Sequence, residues 1–196
     1  GDLPIALLRR RYPALLLESL NFDDDSALKG RIRTPTTVGG SIKDNSILKM
    51  LGASLEAGAL YQYFDSASGS GDTESMLKLL KNYWAAVATN FPEAWDESPR
   101  RSRLVHGVGI MSLGCLMDEI AYVLGEDDIP TEEEFGTQIG LIADQCHWTE
   151  GNWEFRSGET IAWNELQNTP QDILRLTDHL LGLFRDAENS RDLEAA

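Results

Sequence analysis

Apolar residues recur at helical spacing along most of the chain, and the places where that spacing fails divide it into elements. Leu7, Leu8, Tyr12, Leu15, Leu16 and Leu20 form one stripe within residues 3–20. Pro13, which has no amide hydrogen to give, predicts a split there into two short helices. Residues 21–45 read as a long polar loop, with Asp23-Asp24-Asp25, Pro35, Gly39-Gly40 and several Thr and Ser. Ile47, Leu48, Leu51, Leu55, Leu60 and Phe64 predict a helix over residues 46–64, capped by Asp44 or Asn45. Residues 65–73 carry Ser68-Gly69-Ser70-Gly71 and read as a flexible connector.

A further helix is expected over residues 74–90, with Met76, Leu77, Leu80, Tyr83, Trp84 and Val87 on one face. Residues 102–124 are the most apolar segment, and Gly107, Gly109 and Gly114, with Ser112 and Ala121, would let a neighbour approach closely. That segment is predicted to be the central core helix. Thr131 followed by Glu134 has the form of a capping box and predicts a helix to about Ala143. Trp148, Trp153, Phe155, Ile161 and Trp163 are separated by Glu150-Gly151-Asn152 and Ser157-Gly158, which predicts a β-hairpin within residues 146–163. Thr169-Pro170, with Asp172 in the first turn, starts a last helix to about Ala187, and residues 190–196 form an acidic tail expected to fray. The expected fold is mainly α: a single helical domain over residues 1–189, of about six helices with a small β-hairpin in the C-terminal third.

Composition narrows the function classes. With 42% hydrophobic and 25% charged residues the chain is ordinary globular material, but 32 acidic against 17 basic side chains give a formal charge of −15. Such a surplus repels phosphate backbones and anionic lipid, so direct DNA binding by this region is disfavoured. Cys115 and Cys146 have no paired spacing and are read as reduced thiols, which suggests a cytoplasmic protein. Residues 104–124 include His106, Asp118 and Glu119, so no membrane span is expected. Arg9-Arg10-Arg11 interrupts the N-terminal apolar stretch, so no signal peptide is expected, and Gly1 in place of a start Met suggests the C-terminal part of a longer protein.

The residues that could carry chemistry do not assemble in the sequence. The spacing of Gly107, Gly109 and Gly114 does not match a phosphate loop, and neither a strand nor a Walker lysine accompanies it. His106, His147 and His179 are scattered. Glu132-Glu133-Glu134 lie at a helix start, where the dipole accounts for them, and Glu126-Asp127-Asp128 lie in the turn just before it. No nucleophile elbow occurs, and Cys115 falls in the apolar helix. No catalytic residue, metal or cofactor is therefore expected. The five tryptophans are read as core and hairpin packing.

Cations stand out against this acidic background at Arg9-Arg10-Arg11, at Arg100, Arg101 and Arg103, and along residues 31–49. If Arg31, Arg33 and Lys43 converge on the helix that begins near Asn45, they form a small electropositive site for a phosphate or a partner's carboxylate. With Thr36, Thr37, Asn45, Ser46 and Lys49, they make up the expected binding set.

Thr34-Pro35-Thr36-Thr37, Asn45-Ser46, Asn82-Tyr83-Trp84, Phe91-Pro92-Glu93-Ala94-Trp95 and the glycine-containing apolar run at 104–116 follow one another in an order that resembles the C-terminal half of DGQHR-domain proteins. That family includes the DndB-type proteins of DNA sulfur modification. The resemblance covers residues 31–124, and the Asp-Gly-Gln-His-Arg signature itself does not occur in the chain. It implies a bacterial or phage protein associated with DNA modification or mobile-element defence, and it assigns no catalytic residue. The expected function is thus a non-enzymatic accessory or regulatory domain that docks a missing N-terminal half, a partner protein or a second copy. The alternative is part of a nucleotide-processing or nucleic-acid-modifying enzyme whose site lies in or against that missing half.

Overall fold

The computed structural model describes residues 5–65 and 67–196, with side chains from Arg11 onward; Leu7, Leu8, Arg9 and Arg10 therefore lie outside the described side chains. The fold is mainly helical, with seven α-helices and three two-stranded β-pairs among the described residues. α1 (Ile5–Phe22) runs unbroken through Pro13, which corrects the expected split. Proline's fixed φ suits a helix and removes a single hydrogen bond, while Leu16, Leu17 and Leu20 bury the turns that follow.

β1 (Ile32–Arg33) and β2 (Ile42–Lys43) pair in parallel within the stretch expected to be loop. α2 (Asp44–Ala57) then starts one residue earlier than the expected caps, with Lys43 at the cap position and no side-chain capping bond, and a 3-10 turn at Ala59–Tyr63 replaces its last expected turns. Residue 65 and residues 67–73 are not a free connector. β3 (Phe64–Asp65) and β4 (Ser70–Gly71) form a hairpin that turns at Gly69 (φ +73°), and the Gly71 amide donates to the Tyr12 hydroxyl at 2.8 Å.

α3 (Thr73–Asn90) is capped by Asp72, whose Oδ1 accepts from the Ser75 amide at 3.1 Å. α4 (Pro92–Asp96) is a short turn, and α5 (Gly107–Leu124) begins only after residues 102–106 have run in irregularly. α6 (Glu132–Gly140) opens on the expected box: Glu134 N donates to Thr131 Oγ1 at 3.1 Å and Thr131 N to Glu134 Oε1 at 3.2 Å. It stops before Ala143, which begins a 3-10 turn (Ala143–Gln145). β5 (Asn152–Glu154) and β6 (Thr160–Ala162) are the expected hairpin. α7 (Pro170–Ala195) absorbs the tail expected to fray, because no breaker follows Ala187 and Glu188 pairs with Arg191 at 3.6 Å.

α5 is the hub, packed against α2 on one side and α7 on another, while α3 pairs with α6 and α1 covers α2 and α3. A Cβ on Gly114 would fall 2.3 Å from Met50 Cγ, and Ser54 Oγ donates to Asp118 Oδ1 at 2.7 Å, so α2 and α5 run side by side in the same direction. Their N-termini therefore lie at the same end. On the other flank Thr177 Oγ1 lies 3.2 Å from Ser112 Oγ, and Leu176, Leu180 and Phe184 are buried. By length and composition alone α5 (mean hydropathy 1.5) would suffice to cross a bilayer, which corrects the expectation that no segment reaches that threshold; more than half of it is buried between its neighbours.

Candidate functional site

The loop at residues 34–41 is shaped by the short parallel pair at its base. Ile32 lies opposite Ile42 and Arg33 opposite Lys43; the isoleucines point into the core and the two cations point out. Asn21 at the end of α1 locks this base by accepting from Ile32 N at 3.0 Å and donating to Ile32 O at 3.0 Å and Thr37 Oγ1 at 3.2 Å. The return strand passes so close that a Cβ on Gly40 would lie 2.5 Å from Arg33 N. Only glycine fits there.

The candidate set separates into groups. Arg33 and Lys43 stand in register on the exposed side, with Arg33 Nε donating to Gly40 O at 2.9 Å. Asn45 and Lys49 are exposed on the first turns of α2, and Asp44 among them accepts from the Asn45 amide at 2.7 Å. Thr36 is exposed and sits 3.2 Å from Thr34 Oγ1, whereas Thr37 is held by Asn21. Ser46 is buried on the inner side of α2 and is out of reach of a partner. Arg31 turns away to α4, where its guanidinium stacks 4.5 Å above the Trp95 ring and donates to the Trp95 carbonyl. Burial lowers its pKa and Asp96 opposes that change. The expected three-cation cluster is thus an Arg33–Lys43 pair, with Arg31 lining a shallow depression beside Asp96 and Glu97.

His106, in the sequence only one of three scattered histidines, completes this end of the fold. Its Nδ1 accepts from Val108 N at 3.3 Å and caps α5, the helix that starts beside α2. Its position just before Gly107, at the head of the apolar run, was the available signal. Burial, and then the charges of Arg103 and Lys43, bring its pKa down from 6.5 to about 4. The folded state therefore holds the neutral ring more tightly than the unfolded chain does. Its contribution is complete above the unfolded value of 6.5 and fades as pH falls toward 4. Allowing for solvent screening of a half-exposed ring, acidification across that window should remove on the order of 1–2 kcal/mol through His106. Urea midpoints of wild type and His106→Asn, whose amide can still cap, should diverge over that range; parallel pH profiles would refute the assignment.

Both cysteines are free, and burial pushes each thiol's pKa up. Among the described residues no three His, Cys, Asp or Glu side chains gather as metal ligands. Comparison with protein-family models, with curated proteins and with solved structures gives no match.

Proposed function

We propose that this chain is a non-enzymatic docking domain that holds an acidic segment, of a partner protein or of the same polypeptide, at the corner where α2 and α5 begin. The observation that carries the reading is the Arg33–Lys43 register: two exposed cations fixed side by side on a rigid base, at the positive ends of two parallel helices, in a chain of charge −15. Asp44 removes part of that positive potential and Lys49 restores it. The order of motifs at residues 31–124, which resembles DGQHR-domain proteins, supports a setting in bacterial or phage DNA modification, where such a domain would act as an accessory or regulator.

The test uses an aspartate-rich peptide as probe. Titration followed by NMR should shift the amides of Thr36, Lys43, Asn45 and His106, with binding that weakens as salt is added. Reversing charge at Arg33, Lys43 and Lys49 together should weaken binding by about tenfold or more, since three exposed attractions become repulsions. Equal affinity in the reversed variant, or shifts confined to another face, would rule the corner out.

A further inference from the structure

The side-by-side packing of α2 and α5 leaves a cavity of about 460 Å³ where α2 gives way to the 3-10 turn, lined by Gly58, Tyr61, Cys115, Asp118, Tyr122 and Glu126 among others. Asp118 is its chemically distinctive wall. Oδ1 accepts from Ser54 Oγ at 2.7 Å and Ala59 N at 2.9 Å, which fixes the carboxylate against the joint between α2 and the turn. Oδ2 has no hydrogen-bond donor among the described residues and lies against Gly58, where a Cβ would come within 2.3 Å of it. Glycine at that position is what lets the carboxylate occupy the cavity wall. Burial raises the Asp118 pKa more than its two donors lower it, so the group lacks a counter-charge.

The rest of the lining is equally one-sided. Glu119 and Glu126 add negative charge, no Lys or Arg among the described residues lines the cavity, and Arg185 reaches Glu119 from outside at 2.9 Å. Tyr61 and Tyr122 stand exposed at the rim, Tyr122 with 78% of its surface open to solvent. A carboxylate oxygen without a donor, with two tyrosines and a further acid in the same lining, suits an alkylammonium ion better than a metal, for which no three ligands gather among the described residues. We propose that this cavity binds a linear diamine or polyamine, one ammonium on Asp118 Oδ2, the alkyl chain along Tyr61 and Tyr122, and a second ammonium toward Glu126. This site is independent of the cationic corner at the far end of α2.

The full chain titrated with putrescine and with spermidine should show saturable NMR shifts at Gly58, Ala59 and Tyr122, with 1,4-butanediol, the neutral isostere, giving none. Asp118→Asn keeps an acceptor for Ser54 and Ala59 but removes the charge, and should weaken putrescine by about ten- to a hundredfold. Tyr122→Ala combined with Glu126→Gln alters only the exposed rim and should weaken it several-fold, which keeps the test decisive if Asp118→Asn fails to fold. Absence of saturable shifts, an equal response to butanediol, or affinity unchanged in the variants would overturn the proposal. So would tighter binding of Nα-acetyl-lysinamide than of putrescine, since that would assign the cavity to a peptide side chain.

Discussion

Arg103→Met should lower stability by about 3–5 kcal/mol, shifting the thermal midpoint by about 10 °C, because it strips a buried cation from its hydrogen-bond partners. Although it belongs to a run of arginines, Arg103 is 9% exposed and has no carboxylate within ion-pair distance among the described residues. Its guanidinium answers backbone instead: Nε donates to Leu166 O at 2.8 Å, Nη2 to Asn164 O at 2.7 Å and Nη1 to Pro99 O at 3.1 Å. The ring of Trp163 lies 5.7 Å away, and Arg103 N donates to Trp148 O at 2.9 Å. One side chain therefore fastens the entry to α5 onto the segment that leaves the β5–β6 hairpin. Methionine would fill much of the volume and leave three carbonyls without their charged donor, each such bond being worth about 1.5–3 kcal/mol and not fully additive. Arg103→Lys should recover little, because an ammonium cannot reproduce the planar fork. A wild-type urea midpoint for Arg103→Lys would show that charge, and not the three-way geometry, is what matters.

Gly109→Ala is expected to destabilise by about 2–4 kcal/mol, against the usual gain from replacing glycine inside a helix. A Cβ at Gly109 would come 2.0 Å from Arg103 O and 2.5 Å from Leu104 O, both backbone atoms that cannot rotate aside. The irregular run 102–106 folds directly over the first turn of α5, and only a hydrogen fits between them. Gly39→Ala, where no atom lies within 4 Å of the new methyl, should stay within about 0.5 kcal/mol of wild type and serves as the control. Thermal melts in which Gly109→Ala matches or exceeds wild type would mean that this segment yields easily.

What was legible in the sequence was chemistry confined to a few neighbouring residues. The Thr131–Glu134 box and the Thr169-Pro170 start appear as read, because their donors and acceptors lie within one turn. The alternation around Trp153 and Ile161 likewise fixed the hairpin, since each residue faces its partner across a short loop. Pro13 misled because a local rule met a helix already anchored by Leu16 and Leu20. The β1–β2 ladder was hidden because two-residue strands have no periodicity to read, and its clamp, Asn21, belongs to α1. The cations were the hardest to place: Arg31 finds its aromatic partner 64 positions away and Arg103 its carbonyls 61 and 63 away, so the sequence shows the charge but not what holds it. Asp118 was visible only as an interruption of an apolar run; Ser54, Gly58 and Ala59, which give it meaning, lie on another element.

The hub position of α5 also has a consequence for biosynthesis. The helix is an 18-residue apolar segment, yet α7, which covers one of its flanks, is not translated until residues 170–195. Until residues 170–195 are made, α5 has no α7 to cover that flank, and exposed apolar surface of this kind favours aggregation during folding. Asp118 opposes capture by lipid, since an aspartate near the middle of an inserted helix is disfavoured by about 2.5–3.5 kcal/mol. The same carboxylate that shapes the finished cavity thus biases the unfinished polypeptide toward waiting for its last helix.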